Sequence, residues 1–150
     1  EEKKGSLYVG WLPGVYPTAD TAETALKRQD LFVCEEEGNV LASAIINQCQ
    51  VDVYEKGDWT YCGSEEEVMV LHTLAVSPNA TRRGLGSASV KFYEEYAIQK
   101  GCSVLRMDTN ERNTIARKLY RKLGYLEAGI VPCEFNGIPG VNLVLLEKKL

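Results

Sequence analysis

The stretch Val70–Ser87, V-L-H-T-L-A-V-S-P-N-A-T-R-R-G-L-G-S, constrains the fold more than any other part of this chain. It opens as an apolar, strand-like run that stops at Ser77-Pro78. Glycines follow at 84 and 86, and helical spacing then takes over in Leu85, Ala88, Phe92 and Tyr96 until Lys100-Gly101. A strand, a short basic loop and a helix, in that order, aim free backbone N–H groups and the positive end of a helix dipole at one spot. Such a spot suits a phosphate.

Periodicity and turn residues extend the map in both directions. Ser6 to Trp11 is a short apolar run stopped by Pro13-Gly14, and Thr18-Ala-Asp-Thr starts a helix through Ala22, Ala25 and Leu26. Leu31–Glu35 and Val40–Gln48 read as strands around Glu36-Glu37-Gly38-Asn39, a hairpin signal. Val68–Val76 alternates, with Val68, Val70, His72, Leu74 and Val76 on one face. Val104–Met107 reads as a buried strand, and Ile115, Leu119 and Leu123 as a helix stopped by Gly124. Two closing strands, about Tyr125–Val131 and Val141–Glu147, flank a turn-rich insert, Pro132–Gly140, expected to overhang the site. The class is a mixed α/β sheet packed by helices, in a single domain over residues 1–150.

Charge and cysteine usage narrow the partners. A net charge of −4 and a pI near 5.1 argue against nucleic acid or an anionic membrane and favour cationic molecules such as amines. No apolar run approaches the ~18 residues of a membrane helix. Cys34, Cys49, Cys62, Cys102 and Cys133 are odd in number and never form a C-x-x-C pair, so reduced thiols in a cytoplasmic protein are expected, with no metal site. The chain begins at Glu1 without Met, as a processed or internal segment would.

Three readings compete for the glycine loop. A kinase-type phosphate loop needs G-K-[ST], and Gly86-Ser87-Ala88 does not supply it. A dinucleotide fingerprint is nearly met by Gly84-x-Gly86-x-x-Ser89 with Asp108 as the ribose-binding acid, but the third glycine and the tight turn are missing. The third reading is a glycine-rich helix start with no ligand. A second motif, Asn113-x-x-Ala116-x-x-Leu119-Tyr120-x-x-x-Gly124-Tyr125, lies about one helix and one strand after Thr81-Arg82-Arg83-Gly84-Leu85-Gly86. Together the two resemble the GNAT superfamily of N-acetyltransferases from roughly Leu31 to the C-terminus, with Thr81 departing from the family's preferred Arg or Gln.

That resemblance implies a mostly antiparallel sheet with a splayed parallel pair in its middle, and acetyl-CoA as cosubstrate. Leu74, Ala75 and Val76 would pair with the pantetheine arm as an added strand does. Arg82, Arg83, Gly84, Leu85, Gly86 and Ser87 would wrap the pyrophosphate, and a backbone N–H near Leu74 would polarise the thioester carbonyl. The N-terminal strand and helix region, with ~30 residues for it, is shorter than the family's usual strand plus two helices.

Acetyl transfer needs a neutral amine and a proton for the departing thiolate. His72, the sole histidine, lies two residues before Leu74 and at its ordinary pKa of about 6.5 would accept a proton directly or through water. Its plain alternative is a packed strand residue, with Glu66 or Glu67 as the fallback base. The resemblance makes Tyr120 the acid, since a phenol of pKa about 10 carries its proton at pH 7. Asn113 is either a helix N-cap or a pantetheine contact. Trp11, Tyr16, Trp59 and Tyr61 either line the acceptor site or fill the core, and Cys133 lacks a second histidine to activate it as a nucleophile. The expectation is direct transfer to a small-molecule or peptide amine, with a homodimer left open. A non-catalytic acyl-CoA binding module and, more distantly, a dinucleotide-dependent oxidoreductase are the alternatives.

Overall fold

The structure, a computed structural model, describes residues 10–80 and 83–150. Helix α1 (Ala19–Arg28) precedes a hairpin of β1 (Leu31–Glu36) and β2 (Asn39–Asn47). A wrapped segment leads to β3 (Val68–Val76), α2 (Leu85–Gln99), β4 (Val104–Asn110) and α3 (Thr114–Lys122), and the chain closes with β5 (Leu126–Phe135) and β6 (Ile138–Lys149). The strands form one sheet in the order β1-β2-β3-β4-β6-β5. Among the described residues only β3 and β4 run parallel; every other neighbour pair is antiparallel. The expected mixed sheet with a parallel pair in its middle is what forms, and the antiparallel majority removes the doubly wound sheet that a dinucleotide fold needs.

Both hairpins turn on two residues with positive φ, Glu37-Gly38 and Asn136-Gly137, the geometry that matches strand twist. The second corrects the expected insert: Pro132–Gly140 is the continuous tip of the β5–β6 hairpin rather than a separate loop. Proline and glycine there read as breakers, but β5 is the edge strand and Pro139 of β6 lies beyond that strand's pairing with β4, so a missing N–H is tolerated at both prolines.

Two buried clusters lie on opposite faces. One holds Met69, Leu71, Leu105 and Met107 with Val90, Tyr93 and Ala97 of α2 and Tyr120 of α3. The other holds Val68, Val70 and Val104 with Tyr54 and the β5–β6 hairpin. The buried residues of α2 are Val90, Tyr93 and Ala97, not the expected Leu85, Ala88, Phe92 and Tyr96, of which Ala88 and Phe92 are exposed. Both stripes are apolar, and Tyr93 decides between them: its hydroxyl donates to the Met69 carbonyl at 2.6 Å, with the Arg106 carbonyl at 3.0 Å. Ile115 likewise faces solvent, and α3 packs through Ala116, Leu119, Tyr120 and Leu123.

The wrapped segment is pinned by buried charges that the sequence hides. Glu147 accepts the backbone N–H groups of Thr60 and Tyr61 at 2.7 and 3.0 Å. Arg106 donates to Gln50 and to the Tyr61 carbonyl and lies 4.1 Å from the Trp59 ring centre. Trp59 and Tyr61 are therefore core and clamp residues. This anchoring brings Tyr54 down onto β4.

Candidate active site

The parallel pair is closed at one end and open at the other. Pairing runs from Val68↔Val104 to Leu71↔Met107 and stops, although β3 continues to Val76 and β4 to Asn110. On its other side β3 stays with β2, but Ile45↔His72 is followed by Ser43↔Ala75, so His72 to Ala75 span one residue more than the strand opposite. The extra residue is a β-bulge centred on Thr73, whose φ is 48°. Its hydroxyl is hydrogen bonded to the Tyr16 hydroxyl, which ties the N-terminal segment to the bulge. The β4-facing edge of His72–Val76 is left without a strand partner.

The bulge also breaks the expected alternation. Val68 and Val70 face one cluster, whereas Leu74 packs with Met69 and Leu71 on the other. His72 and Leu74 thus point to opposite faces of the sheet. A period-2 reading has no means of anticipating the inserted residue, since threonine carries no sequence mark of left-handed backbone.

A cavity opens in the splay. His72, Thr73 and Leu74 line it from β3, Asp108, Thr109 and Asn110 from β4, and Asn113 and Tyr120 from α3. Trp11 and Tyr16 close one side, and Phe135, Asn136 and Ile138 of the hairpin tip close another. The expected overhang is correct in place, though built from strands.

His72 is half-buried in a polar chain. Asn47 donates through Nδ2 to Asp30 at 2.8 Å, and its Oδ1 accepts the Cys49 N–H at 2.9 Å, which fixes the amide orientation. The His72 Nε2–H therefore donates to Asn47 Oδ1 at 3.0 Å, leaving Nδ1 as the ring's lone pair. Burial lowers its pKa to about 4, opposed in part by Cys49 and Asp30. The ring stays neutral at pH 7 but is a weaker base than the ordinary value suggests. Glu66 and Glu67 lie at the closed end of β3, exposed and outside the cavity, and Glu67 accepts from Ser64 instead.

Tyr120 is buried at the cavity wall, and its hydroxyl has no hydrogen-bond partner among the described residues. Burial first, then the charge of Asp108, raises its pKa to about 12, so its proton stays on. Asn113 caps α3, its Oδ1 accepting the Ala116 N–H at 3.1 Å, and also faces the cavity. Asp108, considered from the sequence only as a ribose-binding acid, stands in the cavity with Oδ2 accepting the Tyr54 hydroxyl at 2.8 Å. Burial raises it to about 6. The readable signal was its place directly after Val104–Met107, the run read as a buried strand.

Beyond the cavity lies the start of α2. Gly84, with φ 74°, is its N-cap, and Ala88 N–H to Gly84 C=O at 3.0 Å is the first intrahelical bond. The N–H groups of Leu85, Gly86 and Ser87 therefore have no acceptor within the helix. Arg83 does not stand free as expected: it makes a two-pronged pair with Glu36 of β1, 2.9 Å on each arm. Arg82 lies outside the described residues. A Cβ on Gly86 would meet Leu119 at 3.3 Å, so this glycine is set by close helix packing, not by ligand approach alone. Arg117 pairs with Glu127 at 2.9 and 2.8 Å. Cys133 is partly buried with its pKa raised, which removes thiolate character, and all five cysteines are unpaired.

Known proteins resemble this chain in sequence or in fold. Among curated proteins, a Bacillus subtilis (strain 168) uncharacterized N-acetyltransferase, YhfO, is 34% identical over 64 residues, 43% of each chain. The chain spans less than half the length of the curated relatives it matches. Among solved structures, a GCN5-related N-acetyltransferase from Kribbella flavida is 26% identical with a TM-score of 0.60, covering 80% of this chain and 67% of that one. Salmonella typhimurium yncA, solved with its cofactor acetyl-CoA, has a TM-score of 0.67 at 19% identity, covering 95% and 79%. The sequence profile of the acetyltransferase (GNAT) family matches residues 4–125, reaching further toward the N-terminus than the two motifs alone and ending at Tyr125. With both motifs, the splayed parallel pair and that profile in agreement, the chain belongs to the acetyltransferase (GNAT) family.

Proposed function

We propose that the protein transfers an acetyl group from acetyl-CoA to a primary amine by direct attack, with Tyr120 as the proton donor to the departing thiolate. The observation that carries this reading is the unpartnered edge of His72–Val76 lying on the path to a helix start with free N–H groups. An extended amide-bearing arm can pair with the first as an added strand does, and a pyrophosphate can be held by the second. The residues thus fit acetyl-CoA, which yncA was solved with. Leu74, Ala75 and Val76 would hold the pantetheine arm, and the Leu85, Gly86 and Ser87 amides the pyrophosphate.

Each cavity residue then has a task. The apolar wall of Leu74, Ile138 and Val141 excludes water from the thioester. Tyr120 lacks another partner and donates a hydrogen bond, then its proton, as negative charge develops on sulfur. Its raised pKa does not forbid this, because the burial that disfavours phenolate disfavours a thiolate beside it as well. His72 keeps β3 aligned through Asn47 and presents Nδ1 to an amine or a water. A non-catalytic acyl-CoA binding module would have no use for a buried hydroxyl turned into the cavity.

A thermal-shift panel of acetyl-CoA, longer acyl-CoAs, NAD and ATP tests the donor. Acetyl-CoA at 100 times its Kd should stabilise by about 2.7 kcal/mol, with NAD and ATP giving no shift. Stabilisation by NAD alone would contradict the proposal.

A further inference from the structure

Among the described residues, Asp108 is the only acidic residue lining the cavity, and no lysine or arginine lines it. Its Oδ2 accepts from Tyr54 at 2.8 Å, and its Oδ1 has no hydrogen-bond partner among the described residues. The residue sits on β4 immediately past Met107, where pairing to β3 ends, on the face opposite the α2–α3 cluster. From the geometry we infer that Asp108 receives the acceptor as a cation and takes its proton, so that the acceptor class is a primary alkylamine that arrives as an ammonium. This rests on the acetyltransferase reading above.

The surroundings favour an anion that awaits a cation. Tyr16 from the N-terminal segment, Tyr54 from the wrapped segment, Tyr120 from α3 and Cys133 from β5 face Asp108, and its charge contributes to raising all four. Those groups remain protonated and offer Asp108 no positive charge. His72, across the splay on β3, is neutral, with its Nε2–H directed to Asn47. Arg106, one step back on the same face of β4, is directed to Gln50 and Tyr61. A carboxylate in this setting lies near a pKa of 6 and His72 near 4, so Asp108 is the more basic of the two.

The proton balance closes. The ammonium gives one proton to Asp108, and the nitrogen lone pair forms the bond to the acetyl carbon. The C–S bond breaks with its electron pair on sulfur, and sulfur takes the Tyr120 proton. The nitrogen's second proton returns to Tyr120, and Asp108 releases its own to solvent, one proton per turnover.

The test compares two acceptors in wild type and Asp108→Asn, an isostere that still accepts from Tyr54. One is the best primary alkylamine from a screen of polyamines, amino acids and short peptides; the other is an aromatic amine, neutral at pH 7. With the alkylamine, kcat/KM should rise through an apparent pKa near 6 in wild type. In the variant that limb should vanish and the value should drop by about 100-fold. With the aromatic amine the variant should change by less than about threefold. Equal losses on both amines, or none on the alkylamine, would overturn the role of Asp108 alone. Wild type that binds acetyl-CoA yet acetylates neither amine would overturn the transferase reading and this role with it. Should the variant fail to fold, 13C NMR of wild type decides: alkylamine must lower the Asp108 carboxyl pKa, and an unmoved titration would overturn the inference.

Discussion

Leu71 and His72 are neighbours on one strand, yet they belong to two different regions of the molecule. From Val68 to Leu71, β3 is paired with β4, with Val70 and Leu71 paired to β2 as well, and its side chains and those of Val104, Leu105 and Met107 are buried and apolar. From His72 onward β3 has lost its parallel partner, carries a bulge, and shares its opening with Asp108, Asn110 and Tyr120. At the closed end the buried charges Arg106 and Glu147 are tied to the wrapped segment; at the open end burial favours the neutral forms of His72, Asp108 and Tyr120, at about 4, 6 and 12. The same sheet is thus a scaffold where its backbone is satisfied and a reactive cleft where it is not. The cost of the cleft is borne by the closed end, which anchors both strands just before they part.

If that division holds, the largest effect on stability comes from the closed end. Leu105→Ala, at a fully buried position, should cost about 2–5 kcal/mol in denaturant unfolding, with kcat per folded molecule nearly unchanged. A comparable loss of kcat would erase the distinction between the two ends. At the open end the pattern reverses. Tyr120→Phe should lower kcat by roughly 100-fold while acetyl-CoA affinity and stability stay close to wild type, and full activity would assign Tyr120 to packing.

A pH series sharpens the comparison without chemistry. Asp108 is raised from its ordinary 3.8 to about 6, so it favours the fold at low pH and loses that contribution as pH rises through 6. His72 is lowered from 6.5 to about 4, so its contribution is present above 6.5 and is lost as pH falls toward 4. Between about 4 and 6 the two slopes oppose each other at about 1 kcal/mol per pH unit each. Relative to wild type, Asp108→Asn should therefore lose stability on acidification through that window, and His72→Gln should gain it. Parallel curves for both variants would show that neither group is held away from its ordinary value.

Much of the closed end was legible in the sequence and much of the open end was not. Hydrophobic runs at Val68–Val76 and Val104–Met107 place two buried strands, and the Asn113–Tyr125 frame singles out Tyr120, which lines the cavity. The bulge at Thr73 was invisible because it changes backbone count rather than residue type, and it moved Leu74 to the face opposite His72. Arg83 looked like a free charge until β1 brought Glu36 beside it, a pairing 47 residues apart. Asp108 was noticed for its spacing from glycines, whereas its setting depends on Tyr54 from a segment the sequence shows only as a polar loop.

The smallest expected effect concerns Gly86. Its missing Cβ faces Leu119, so Gly86→Ala should shift acetyl-CoA Kd by less than about twofold, read by calorimetry. A tenfold loss would place the ligand on the α3 side of the helix start.

Backbone hydrogen exchange with and without acetyl-CoA reads the two ends of β3 in one experiment. The amides of Thr73–Val76 and of Leu85–Ser87 should gain protection on binding, while those of Val68–Leu71, where β3 is paired with β4, should not change. Protection that leaves Thr73–Val76 untouched, or that falls equally on Val68–Leu71, would contradict the assignment of the splay as the acyl-donor site.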